Sequence, residues 1–454
     1  MPPMPLRAIS LLLHAYVGWR LIPALGSPTA AIALAIVLIV SALALPYGLG
    51  ARSAGWRRFA APLAWLGLLC MGLFSSLFVL TLGRDAALLI VALASWPWPD
   101  AVPWPTLEST TARLVPLVAA AVTLWGFVNA RRIAGVRCVD VAVDGLPAAL
   151  EGFSIAQISD VHVGPTIRRP YVEAIVAKVN RLGADLVAVT GDLVDGSVAD
   201  LAGHVAPLAD LRSREGTFFV TGNHEYYSGA APWVRELRRL GVTVLMNEHV
   251  VVGRGDAAVV VAGVTDFGAG HFDRGQASDP EAALVGSPAG AAVRILLAHQ
   301  PRSAAAAEQA GFDLQLSGHT HGGQFWPWNL LVPLQQPFTA GLHRWRRMWV
   351  YTSRGTGYWG PPKRFGAPSE ITLLRLVAAP GPAPARPARA SLQPQASPAR
   401  LSSSRVLQFA GFASDALSPI QQESSPCSFP KPSPRPPRPP PVPPTPCSAA
   451  ASAA

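Results

Sequence analysis

The sequence predicts a soluble α/β domain carried behind an all-α transmembrane region, and three observations lead there. Long runs with few or no charges fill the first 130 residues. Strand-length and helix-length apolar patterns then alternate as far as residue 376. After that the chain turns to Pro, Ala, Ser and Arg.

Half of the 454 residues are hydrophobic and only 14% are charged, too apolar a mix for a uniformly soluble chain. The net charge is +10. The arginines sit beside apolar runs or in the proline-rich tail, so membrane flanks account for them better than nucleic acid does. No basic groove with interleaved aromatics lies beside the polar clusters at the strand ends, and no nucleic-acid partner is expected. Cys70, Cys138, Cys427 and Cys447 form no C-x-x-C motif, so neither a zinc ribbon nor a disulfide framework is indicated.

Residues 1–135 read as a polytopic transmembrane region. The run 6–25 is apolar apart from Arg7, His14 and Arg20, while 29–49, 59–82 and 114–130 carry no charge. About 20 apolar residues cross a bilayer core. No A-x-A-like cleavage site follows the first run, which reads as a retained helix. The segment 86–98 is open to three readings: a fifth span, a re-entrant piece, or a continuation of the third helix. Its 13 residues would reach only about 20 Å as a helix, short of the roughly 30 Å core, so four spans are expected. Arg52, Arg57 and Arg58 crowd the loop after the second run and mark it as cytoplasmic. Four spans then leave the soluble domain in the cytoplasm, in agreement with Arg131-Arg132; five would export it. Trp96, Trp98 and Trp104 suit the interfacial aromatic belt.

The soluble domain is expected over 138–378. Strands are read at 153–158, 185–190, 217–221, 242–245, 258–264, 293–297, 312–316, 348–352 and 371–376. Helices are read at 171–182, 201–211 and 233–240, the first from its stripe of Val172, Ile175, Val176 and Val179. This alternation is that of βαβ units. Residues 379–454 cannot bury enough apolar surface to offset their ordering entropy and are expected to be a disordered tail. Their proline run offers SH3- or WW-type ligand chemistry, with no partner specified.

Chemistry gathers at strand ends. The strand at 153–158 runs into Asp160-Val161-His162, the next into Gly191-Asp192-Leu193-Val194-Asp195, and the third into Gly222-Asn223-His224-Glu225. Later strands end in His299 and in Gly318-His319-Thr320-His321-Gly322-Gly323-Gln324. Ligands in open α/β sheets sit outside the carboxyl ends of strands, so five clusters, holding five of the ten histidines, would meet on one edge. Carboxylate, imidazole and amide oxygen suit manganese, iron or zinc. A shared carboxylate can bridge two ions about 3.5–4 Å apart, and Asp192, from the middle strand, is placed for that.

The order D-x-H, G-D, G-N-H-E, H, G-H-T-H-G-G-Q resembles the calcineurin-like metallophosphoesterases over about 138–376, and is most similar to their membrane-anchored branch. Ser353-Arg354-Gly355-Thr356-Gly357 and Pro368-Ser369-Glu370-Ile371 share that likeness. The resemblance implies a two-sheet α/β sandwich. It implies two divalent metal ions, one held by Asp160, His162, Asp192 and His321 and the other by Asp192, Asn223, His299 and His319. It makes His224 a catalytic residue that is not a ligand. The implied activity is hydrolysis of a phosphomonoester or phosphodiester, a lipid among the candidates, by metal-activated hydroxide. The alternative is a catalytically silent membrane scaffold that binds a partner through the same fold.

Four features stay open in the sequence. Asp195 and Asp266 are either supports for ligands or turn residues. Arg354 is either a substrate-phosphate ligand or a surface arginine. Phe325-Trp326-Pro327-Trp328 is either a lip toward lipid or core.

Overall fold

The computed structural model describes residues 4–50 and 60–381. The arginine-rich loop with Arg52, Arg57 and Arg58, and the tail beyond 381, lie outside the described residues.

Helices α1 (Met4–Leu21), α2 (Pro28–Gly50), α3 (Ala60–Ala94) and α4 (Trp104–Arg131) form an apolar bundle. Among the described residues, four helices are long and apolar enough to cross a membrane. The segment at 86–94 continues α3 without a break; the 35 residues of that helix extend about 52 Å, well beyond one bilayer core. The expectation of four helices rather than five thus agrees with this backbone. Gly48 and Gly67 bring α2 and α3 into backbone contact, and a Cβ on either would strike the other helix. Small residues are how helices associate where lipid removes the hydrophobic drive.

Beyond α4 the chain builds two six-stranded sheets. The first contains β1 (Gly135–Val143), β2 (Ser154–Ile158), β3 (Leu186–Val189), β4 (Thr217–Phe219), β5 (Thr243–Val244) and β12 (Glu370–Ala378), in the order β1-β12-β2-β3-β4-β5. The second contains β6 (Glu248–Arg254), β7 (Ala257–Gly263), β8 (Val293–Leu297), β9 (Leu314–Ser317), β10 (Gly341–Trp345) and β11 (Met348–Thr352), in the order β10-β11-β9-β8-β7-β6. Strands β2 to β5 run parallel, as do β7, β8, β9 and β11. Parallel strands are buried on both faces and so read as continuous apolar runs, as Leu186–Val189 does and, apart from Arg294, Val293–Leu297 does.

Between the sheets lies a core that includes Ile155, Phe218, Val261, Ile295, Leu316 and Leu374. Helices α5 (Arg169–Asn180), α6 (Val198–Val205) and α8 (Ala230–Arg239) cover the outer face of the first sheet through Val172, Ile175, Leu201 and Trp233. Helix α9 (Ala304–Ala310) covers the second through Ala304 and Ala307. A short helix, α7 (Asn223–Ser228), starts at the end of β4. The two-sheet sandwich behind an all-helical apolar region is the architecture expected from the sequence.

Bundle and sandwich are joined by side chains, not by the α4–β1 connection alone. Lys363 is fully buried and donates to Gly72 O (2.8 Å), Ser76 Oγ and Thr123 Oγ1 (3.2 Å) on α3 and α4. Arg364 N donates to Gly126 O (2.8 Å) and Trp328 Nε1 to Ser75 Oγ (2.9 Å). Buried polar groups that lose a partner cost about 1–3 kcal/mol. Lys363→Ala is therefore expected to lower the unfolding free energy by at least that much, read as a fall in Tm of the purified protein in detergent; a wild-type Tm would mean that the junction adds no stability.

Candidate metal centre

The carboxyl ends of β2, β3, β4, β8 and β9 converge, and their loops carry the polar clusters to one cleft. Seven side chains meet there: Asp160, His162, Asp192, Asn223, His299, His319 and His321. His162 Nε2 lies 3.0 Å from His321 Nε2, and His321 Nε2 lies 3.4 Å from Asp160 Oδ1. On the other side, His319 Nδ1 lies 3.0 Å from Asn223 Oδ1 and 3.3 Å from His299 Nε2. Asp192 stands between the groups, with Oδ2 at 3.1 Å from His299 Nε2 and 3.9 Å from His162 Nε2. Asp160, His162 and His321 form one set whose ligand atoms fall within metal-binding reach of one another, and Asp192, His299 and His319 form another. His162, Asp192 and His224 form a third such set.

The local backbone is strained to achieve this. Asp160, His162, Asp192, His319 and His321 all have φ between 50° and 69°, a region that costs non-glycine residues free energy unless the surroundings enforce it. Glycines clear the space. A Cβ on Gly318 would strike the Asp160 carboxylate, and one on Gly222 would strike Asp192.

Electrostatics favour the ligand form at His319, His321 and Asp192, whereas burial raises the Asp160 carboxyl and the Asp192 charge, against burial, holds His299 well above its ordinary value. Burial holds His321 well below its ordinary value and brings His319 down to about 3, so both rings are neutral and offer a lone pair. Burial alone would raise the Asp192 carboxyl, but His299 and the neighbouring histidines hold it well below the usual range. His299 Nδ1 donates to Thr190 O at 2.7 Å, which fixes the ring with Nε2 toward Asp192. With only nitrogen and oxygen donors, a carboxylate between the two sets, and neutral imidazoles on each side, the residues fit a pair of divalent cations.

A further layer holds these groups. Asp195 accepts from His224 Nδ1 at 2.5 Å and faces His162 Nδ1 at 3.2 Å, so it supports two rings at once and is no mere turn residue. Asp266 accepts both close contacts of Gln300 Nε2, at 3.0 and 3.2 Å, next to His299. Arg354 pairs with Glu370 at 3.0 Å, an ion pair rather than a bare surface arginine. His224 has its ring edge toward His162 at 4.7 Å and toward Trp359 at 5.8 Å. Burial lowers its pKa, but the Asp195 hydrogen bond and the Asp192 charge raise it further, and the net shift is upward. Phe325 is buried, while Trp326 and Trp328 remain 49% and 39% exposed, so the aromatic segment is part core and part lip.

Two residues had no role from the sequence. Glu225, the last of the Gly-Asn-His-Glu cluster, is fully buried and accepts from the backbone N–H groups of Asp192, Leu193, Val194 and Gly222 at 2.6–3.3 Å. Burial and Asp192 push its carboxyl up to about 8, against the pull of those donors. Its position as third residue of α7, accepting from Gly222 N–H at the helix start, is only half of a capping box, because Gly222 has no side chain to reciprocate. Arg364, fully buried, donates to His321 O at 2.9 Å and to Gly357 O, and sits 3.0 Å from His321 Nδ1; no local pattern marks it. Glu225→Gln replaces a two-oxygen acceptor by one oxygen and an NH2 facing N–H donors. The expected loss is about 1–3 kcal/mol for the buried N–H donors left without an acceptor, with weaker metal retention; a variant with wild-type Tm and metal content would remove Glu225 from this role.

Residues 153–323 match the model of the calcineurin-like phosphoesterase family. A bovine protein named transmembrane protein with metallophosphoesterase domain is 42% identical over 279 residues, 59% of this chain and 62% of its own length. Its namesake from Danio rerio is 36% identical over 325 residues, 69% of this chain and 74% of its own. An uncharacterized metallophosphoesterase of Aquifex aeolicus is 32% identical over 238 residues, 52% of this chain and 89% of its own. The matched stretch holds every strand-end cluster of the cleft, and with relatives of this identity covered over most of their length, the chain belongs to the calcineurin-like phosphoesterase family and is a membrane protein.

Proposed function

We propose that this chain is a membrane-anchored, dinuclear metal-dependent phosphoesterase that hydrolyses a phosphomonoester or phosphodiester, a lipid among the candidate substrates. The observation that carries the reading is Asp192 Oδ2, within 3.1 and 3.9 Å of imidazole nitrogens from the two ligand sets. Asp160, His162, Asp192 and His321 would hold one cation; Asp192, Asn223, His299 and His319 would hold the other. Bound manganese, iron or zinc lowers the pKa of a water and neutralises phosphoryl oxygens. His224 donates Nδ1–H to Asp195, so its Nε2 is free to deliver a proton to the leaving oxygen. The upward shift of its pKa favours the protonated ring. Arg354 is held by Glu370 through Nη1 beside the His321 loop.

Metal analysis of the purified protein, with turnover on a panel of phosphoesters in added manganese, tests this. Asp192→Asn is expected to lose most of the metal and nearly all activity, because removing one charge weakens both sites. His224→Asn is expected to keep the metal and lose about 10²–10⁴-fold in kcat. Wild-type turnover by Asp192→Asn would refute the dinuclear reading.

The catalytic domain is proposed to face the cytoplasm. Support comes from the unbroken α3, from Arg131 and Arg132 after α4, and from the arginines at 52, 57 and 58. A phosphatase reporter active only after export, fused after Val377, should stay silent in cells; strong reporter activity would put the metals outside.

A further inference from the structure

A cavity of about 550 Å³ lies between the helix bundle and the metal-binding loop. One end is walled by His319 and His321, and the other by Leu13, Leu45, Phe74 and Phe78 from α1, α2 and α3. Trp359, whose ring faces His224, lines it between the two. The volume is that of a site for a small organic molecule, roughly 300–1,000 Å³. Its walls on the bundle side are hydrocarbon and aromatic, the surface that suits apolar matter.

The cavity is also continuous with an apolar surface. Trp328 and Val332 line it, and their neighbours Trp326, Leu330, Leu331 and Leu334 are 49–74% exposed. Large exposed apolar patches mark interaction or membrane surfaces, and tryptophans favour the bilayer interface. This segment stands against α3, where Trp328 Nε1 bonds Ser75 Oγ. It therefore lies where a hydrocarbon chain could pass from a bilayer into the cavity without crossing water.

We infer that the cavity binds the hydrocarbon chain of an amphiphilic phosphoester drawn from the membrane, with its phosphate at the histidine–carboxylate cleft. This rests on the reading of that cleft as a phosphoesterase centre. A small polar phosphoester would leave the Leu13–Phe78 end unfilled, whereas a single-chain amphiphile occupies both ends at once. A chain leaving lipid for this pocket gains little hydrophobic free energy, because lipid tails are as apolar as the pocket walls. Selection then acts through shape and length: the pocket excludes chains that do not fit rather than holding tightly those that do.

The test uses the full chain in lipid nanodiscs and an alkyl phosphonate with a photoreactive group at the chain terminus. Crosslinks are expected in α1, α2 and α3 near Leu13, Leu45 and Phe74. They should fall tenfold or more in Leu13→Trp and in Leu45→Trp, and under competition by an unlabelled long-chain alkyl phosphate but not by inorganic phosphate. Two variants on different helices guard against one failing to fold, and each is checked by its Tm. In parallel, the ratio of kcat/KM for a long-chain over a short-chain phosphoester should fall at least tenfold in both. Crosslinks spread over the lipid-facing surface, unchanged in both folded variants, would mean that ordinary bilayer lipid fills the space and would overturn the inference. Specific crosslinks with no hydrolysis of any phosphoester would support the chain pocket while refuting the phosphoesterase reading, so the two failures are distinct.

Discussion

Seven candidate ligand side chains gathered in one buried cleft are costly in themselves. Carboxylates lose hydration there, and imidazole nitrogens approach one another to 3.0–3.3 Å. A polar cluster of this kind persists only when its members are satisfied and held. The rest of the domain can be understood as what holds it. Two sheets with their core between them bring β2, β3, β4, β8 and β9 to the same end, and the strained loops at that end are clamped from behind. Glu225 ties the Asp192 loop to the start of α7, Asp195 steadies His162 and His224 together, and Thr190 O orients His299. At Asp192 and His162 the clamp holds a left-handed backbone that would relax in isolation, and so fixes a ligand direction.

The same loop system reaches the membrane region. Lys363 and Arg364 are adjacent and fully buried, yet serve opposite directions. Lys363 enters the bundle at Gly72, Ser76 and Thr123, while Arg364 turns to His321 and Gly357. A shift of α3 or α4 would thus be felt at a candidate metal ligand through two neighbouring residues. In this geometry the helices form a wall of the site as well as an anchor. This shared wall is what gives the cavity its mixed character, imidazole at one end and hydrocarbon at the other.

Much of this was legible along the chain because it is local. Spans show as uncharged runs, buried parallel strands as apolar runs, and ligand clusters as Asp, His and Asn just past strand ends. The elements with no such signal share a cause. Strands β1, β6 and β10 are all at sheet edges, where one side of the ladder is open and fewer residues are buried. Their sequences, such as Gly-Leu-His-Arg-Trp in β10, lack the continuous apolar signature of a central strand. Helix α9 is seven residues rich in alanine, too short to display a periodic stripe.

By itself, the sequence determined the helices of the membrane region, the α/β character of the domain behind them, and the seven side chains able to take a metal, because each depends on residue type and near neighbours. Only the tertiary structure decided that 86–94 continues α3, that Asp195 and Asp266 support ligands, that Arg354 is paired with Glu370, and that Lys363 and Arg364 join bundle to site. Most of those outcomes depend on partners tens to hundreds of residues away, such as Ser76 for Lys363 and His224 for Asp195. A hydrogen bond between distant residues leaves no periodic trace in either segment, so folding alone brings it into being.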